Sequence, residues 1–175
     1  MTTRPQKQEF ADYYGSYIDR VPDGDLIEIL ESQLAYVRNL LDTVGESNAT
    51  VVHAPYAWTI KQVIGHIIDV ERVFSYRALR WASADARPMI GMEQDDWIAN
   101  TDWATPSLAS LRDEFLHCRE SNLLMFRRLA PKSWGLGGEA DGSFMTVRAA
   151  AYCMVGHIIH HGTIVESRIA PSLQE

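Results

Sequence analysis

Apolar residues recur along this chain in steps of three and four, the period of a helix buried by one face. Leu26, Leu30, Leu34, Val37, Leu41 and Val44 form the first such stripe, with Asp25 placed to cap its start and Gly45 to end it. Ile60, Val63, Ile64, Ile67, Val70 and Phe74 form the second, which runs to about Trp81. It opens on Thr59 and Gln62, the S/T-x-x-E/Q spacing of a capping box. The third runs from near Ser107 to Leu129, with Leu108, Leu111, Phe115, Leu123 and Phe126 inward and Arg112, Asp113, Arg119 and Glu120 outward. The fourth begins at Thr146 and ends before Pro171. Four helices without strand alternation predict an all-α four-helix bundle, one domain over 1–175.

Between these stripes, residues 84–106 and 131–145 are long connections between helices 2 and 3 and helices 3 and 4. Connections of more than about 12–15 residues are commonly functional, and Trp97 and Trp103 make the first a candidate lid. The alternative is that these aromatics pin the loop to the bundle edge. Phe10, Tyr13, Tyr14, Tyr17 and Ile18 predict a short helical turn across one end.

Residues 149–165 carry no Asp, Glu, Lys or Arg. Three histidines and two glycines there argue against a membrane span, so the segment is expected to be buried on most sides. The covering surface is either a second copy, which predicts a homodimer, or the long loop and N-terminal aromatics of the same subunit. A net charge of −7 with no basic block disfavours nucleic acid and anionic membranes as partners. The N-terminal twenty residues lack the apolar core of a signal peptide, and Cys118 and Cys153 are too few for a disulfide framework. A cytoplasmic location is expected.

Candidate chemistry sits in GHIIDVER (65–72) and VGHIIHHGTI (155–164). A helix advances about 100° per residue, so His157 and His161 lie about 40° apart, one turn from each other, and can face one ion. His66, in line with Val63 and Val70, points into the bundle as a third nitrogen donor. His160, about 60° from His157, is open as a ligand by angle; His161 is preferred because an i, i+4 pair stacks more directly. The competing reading is that each is a core histidine bonded to a neighbour. Asp69, about 60° from His66, is a candidate partner for it or a proton acceptor, the alternative being an ion pair with Arg72 or Arg148. Cys153 reads as a small buried apolar residue, His117-Cys118 diverge too far to act as a pair, and His53 reads as a solvated loop residue.

AWTIKQVIGHIIDVER (57–72) resembles the second-helix signature of the DinB-like superfamily of metal-binding four-helix bundles, in which a Trp-Ser/Thr cap precedes an interior histidine. HIIHHG (157–162) resembles its last-helix His-x-x-x-His signature, and YYGSYIDRVPDGDLIEILESQL (13–34) its first-helix region. The resemblance implies a metal triad of His66, His157 and His161. One departure stands out: many relatives read His-Arg-Gly-Gln where this chain has His161-Gly162-Thr163. The superfamily includes transferases that use low-molecular-weight thiols such as bacillithiol or mycothiol.

Together these readings predict a metal-dependent enzyme, a thiol S-transferase or small hydrolase acting on a small molecule. Its divalent cofactor would be zinc or nickel, or else iron or manganese. The rival expectation is a non-catalytic bundle that binds a metal or small ligand; a third is a purely structural protein.

Overall fold

The computed structural model describes residues 3–170. Its long helices are α2 (Leu26–Val44), α4 (Ile60–Ala82), α6 (Leu108–Arg127) and α7 (Val147–Ile169), with short helices α1 (Gly15–Ile18), α3 (Glu46–Ala49) and α5 (Gln94–Ala99) between them. Each long helix starts on a side chain that satisfies an otherwise orphaned backbone N–H. The Asp25 carboxylate accepts from Ile27 and Glu28, the Ser107 hydroxyl from Ser110, and the Thr146 hydroxyl from Ala149. Thr59 and Gln62 close both halves of the expected capping box. Such caps are each worth about 1 kcal/mol. Pro171, beyond the last helix, lies outside the described residues.

Packing sets the order of the bundle. Helix α4 packs on α6 and α7, and α2 packs on the same two, so consecutive helices α2 and α4 stand across the bundle from each other. Residues 45–59 make the crossing from α2 to α4, whereas the 84–106 connection joins the neighbours α4 and α6.

Residues 131–145 hold more than a loop. Strands β1 (Gly137–Ala140) and β2 (Ser143–Thr146) pair antiparallel around Asp141-Gly142. Both turn residues have positive φ, 53° and 66°, as a two-residue hairpin turn requires. The hairpin lies against α4, where Gly138 leaves room for the Trp81 indole.

The 84–106 connection is likewise structured, around α5 and the buried Trp103. The Trp103 indole rests on Gly65, where any β-carbon would collide with it, and the Lys61 ammonium donates to the Ala104 carbonyl at 3.1 Å. These contacts pin the C-terminal half of the connection to α4. Trp97 remains 40% exposed.

The N-terminal turn crosses α7 at Gly156, whose missing side chain admits the Tyr17 backbone. Ala149, Ala150, Met154, Val155 and Ile158 are thereby buried within one chain. Part of the apolar surface that motivated a homodimer is thus packed by the chain's own N-terminal segment, with Ile159 left partly buried.

Arg119, read as outward from its charge, is wholly buried. Its guanidinium forms two bonds to the Glu71 carboxylate, at 2.7 and 2.8 Å, and donates to Gln33 Oε1 at 2.7 Å and the Leu30 carbonyl at 3.2 Å. Asn122 donates to Glu71, and Gln33 donates to the Val155 carbonyl of α7. The apolar core falls into two clusters, and on α2, α6 and α7 the boundary coincides with Gln33, Arg119 and His157. A buried polar layer crosses the bundle at that level.

Candidate metal centre

Helices α4 and α7 face each other along the bundle, and their contact brings three imidazoles to one point. One ring nitrogen from each of His66, His157 and His161 lies within 4.8 Å of the others. His157 Nε2 stands 3.0 Å from His66 Nε2, and the His157 and His161 rings are 4.4 Å apart between centroids, as a one-turn spacing dictates. Metal–nitrogen bonds of about 2.0–2.1 Å in tetrahedral geometry put ligand nitrogens about 3.3 Å apart. Small rotations of these rings reach that spacing, so the residues present fit a divalent ion.

The electrostatics agree. Burial lowers the His66 pKa to about 4, opposed by the Asp95 carboxylate, and lowers that of His161 to about 3. His157 is pushed well below its ordinary value, first by burial and then by its imidazole neighbours. All three rings are therefore neutral at neutral pH, the form that coordinates a metal. His66 Nδ1 is buried without a hydrogen-bond partner. No carboxylate bonds to any of the three rings among the described residues, so no acidic partner holds the converging nitrogens.

Aromatic side chains enclose the group. Trp58, which precedes the α4 cap, places its ring 5.3 Å from that of His66, and Tyr17 lies 5.5 Å from that of His157. The Trp58 carbonyl is held by the buried Arg168 guanidinium at 2.9 Å, which also reaches His53 Nδ1 at 3.2 Å. His53 is thus tied to α7 rather than left in solvent. His66 and His157 form the floor of an open cleft of about 700 Å³, within the range of small-molecule sites. Burial pushes the Tyr17 phenol well above its usual pKa, with a hydrogen bond to Tyr13 adding to the shift, so it stays protonated.

The other sequence candidates fall elsewhere. Asp69 is 3.8 Å from Arg72, which in turn bonds Glu114 at 2.6 Å; no hydrogen bond joins Asp69 to the triad. The ion-pair alternative describes it, and the role of partner to His66 does not. His160 packs its ring 5.5 Å from Tyr17 and is not among the converging nitrogens. Cys153 lines the cleft, but burial raises its thiol pKa and keeps it an inert apolar neighbour. His117 is exposed beside Cys118, away from the triad. Gly162 lies against the Tyr36 hydroxyl, which donates to Glu166 at 2.8 Å. The cleft walls were not foreseen, although Glu93-Gln94-Asp95-Asp96 forms a visible acidic run inside the long connection.

Residues 29–165 match the family model described as the DinB superfamily. The fold is similar to a solved Bacillus subtilis structure, YfiT, described as "a probable metal-dependent hydrolase with an unusual four-helix bundle topology". That similarity has a TM-score of 0.74 at 17% sequence identity and covers 96% of this chain and 94% of that one. No match was found among curated proteins. No helix among the described residues is long and apolar enough to cross a membrane.

Proposed function

We propose, because the chain belongs to the DinB superfamily and brings three neutral imidazoles to one point, that it is a metal-dependent hydrolase of small molecules. The observation that carries this reading is that two of the three converging imidazoles, those of His66 and His157, line an open cleft. A ligand set confined to a sealed core would serve structure alone; this one faces a space large enough for a substrate.

His66, His157 and His161 would hold the ion, and three neutral nitrogens suit zinc or nickel as well as iron. Such an ion supplies Lewis acidity, which lowers the pKa of a water or thiol and polarises a carbonyl. Trp58 and Trp103 exclude bulk water from the α4 side. Tyr17, protonated beside His157, is placed to donate a hydrogen bond to a developing oxyanion. With Cys153 kept as a thiol, the nucleophile comes from outside the chain.

A low-molecular-weight thiol could take the place of water there, which would make the same site an S-transferase; the cleft volume allows it. Both reactions fit a cytoplasmic protein whose two cysteines are free.

Metal analysis of purified protein, then assays of the zinc, nickel, manganese and iron forms against esters and amides, and against an electrophile with added thiol, test the reading. One metal per chain and turnover in the hydrolytic arm are expected. Turnover only with thiol would replace hydrolysis by transfer. Metal binding without turnover in either arm would leave a non-catalytic binding protein.

A further inference from the structure

The cleft above the triad has walls of unusual composition. Tyr13, Tyr14 and Tyr17 from the N-terminal segment and Phe74 from α4 supply aromatic surface. The same cleft is lined by Asp95 and Asp96 from the start of α5, by Glu93 just before it, and by Asp141 from the tip of the hairpin. These four carboxylates, all exposed, make no ion pair among the described residues. The lone lining cation, Arg77, is buried, lies over the Phe74 ring at 5.3 Å and donates to the Ile90 carbonyl, so it is committed to the wall. At the bottom of the same cleft, His66 is 4% exposed and its Nδ1 has no partner.

The geometry points to a substrate that carries an ammonium group, seated among the tyrosines and the Glu93, Asp95, Asp96 and Asp141 carboxylates with its reacting bond at the imidazole triad. Three features combine to select it. Aromatic faces attract a cation through their quadrupole. Carboxylates left without counter-ions make the mouth negative, which draws a cation in and repels an anion. A volume of about 700 Å³ matches a small molecule rather than a polypeptide segment. This inference rests on the reading of the triad as the reacting centre, but the charge preference can be read by binding alone.

Calorimetric titration with 2-phenylethylammonium and with its neutral counterpart 2-phenylethanol, on metal-free and zinc-loaded protein at pH 7, tests it. Both probes offer the same ring, so their difference reports the charge. The ammonium is expected to bind about tenfold more tightly, with the preference shrinking as salt rises. The double variant Asp95→Asn/Asp96→Asn should remove most of that preference and leave zinc stoichiometry intact; Glu93→Gln, outside α5, should lower it in the same direction. Equal binding of the two probes, no binding of either, or a preference untouched by all these variants would overturn the inference. Loss of zinc binding with the ammonium preference retained would sink the hydrolase reading instead.

Discussion

Two groups of polar side chains lie buried in this bundle, and they are satisfied in opposite ways. Around Arg119, the Glu71 carboxylate, the Gln33 amide and the Asn122 amide exchange hydrogen bonds among themselves and with the Leu30 and Val155 carbonyls. Around His66, three imidazoles face one another with one nitrogen orphaned and no carboxylate between them. A buried polar group must find a partner, inside the fold or from outside it. The Arg119 network is complete and locks helix against helix. The triad has no such network: His66 Nε2 meets only another imidazole nitrogen, and a divalent ion would be held by all three rings together. Burial and polarity are common to both; what separates them is whether the side chains find their partners within the fold.

That contrast can be broken most directly at Arg119. Arg119→Met strands the Glu71 carboxylate in the core and should cost about 3–5 kcal/mol by urea unfolding, while adding Glu71→Leu recovers most of it. A loss under about 1 kcal/mol would show that the network is not self-contained. The triad should respond to its ligand instead. Saturating metal at a hundred times Kd should stabilise the protein by about 2.7 kcal/mol, and His66→Ala, His157→Ala and His161→Ala should each abolish that gain. A melting temperature indifferent to metal and chelator would remove the distinction between the clusters.

Acid offers a finer probe. The folded pKa values of His66 and His161, about 4 and 3, lie below the unfolded value of about 6.5. The unfolded chain therefore takes up protons first, and metal-free stability, full above pH 6.5, falls as pH drops towards 4. Each titrating histidine contributes up to about 1.4 kcal/mol per pH unit, so the pH slope of His66→Ala should be shallower than that of the parent by about that amount. Smallest of all is Asp69→Asn. It disturbs a partly exposed pair with Arg72 and should change stability by under about 1 kcal/mol, with metal stoichiometry unchanged.

The four long helices, their caps, the His157–His161 pairing and the interior phase of His66 were legible because period and spacing encode them locally, while the meeting of the three was implied by the DinB-like resemblance. Arg119 was misplaced by its charge. Yet it continues the buried stripe of Leu108, Leu111 and Phe115 at the next step of four, as Glu71 continues that of Ile60, Ile64 and Ile67. Phase was the better guide than polarity. The hairpin also left a signal, Asp141-Gly142, but its four-residue strands are too short for alternation to register. No local pattern could place the cleft walls, because Tyr17, Asp95 and Asp141 meet only through tertiary packing. The same holds for the cover over α7, which the N-terminal turn supplies.

The helix that carries two of the three imidazoles is the last of the four, and it meets His66 across 91 residues of sequence. A chain growing from the ribosome, or cut anywhere before His157, presents one imidazole of the triad and no chelate. A metal held by all three would be captured only by chains in which the final helix has docked. Such an ion would report on the completeness of its own scaffold.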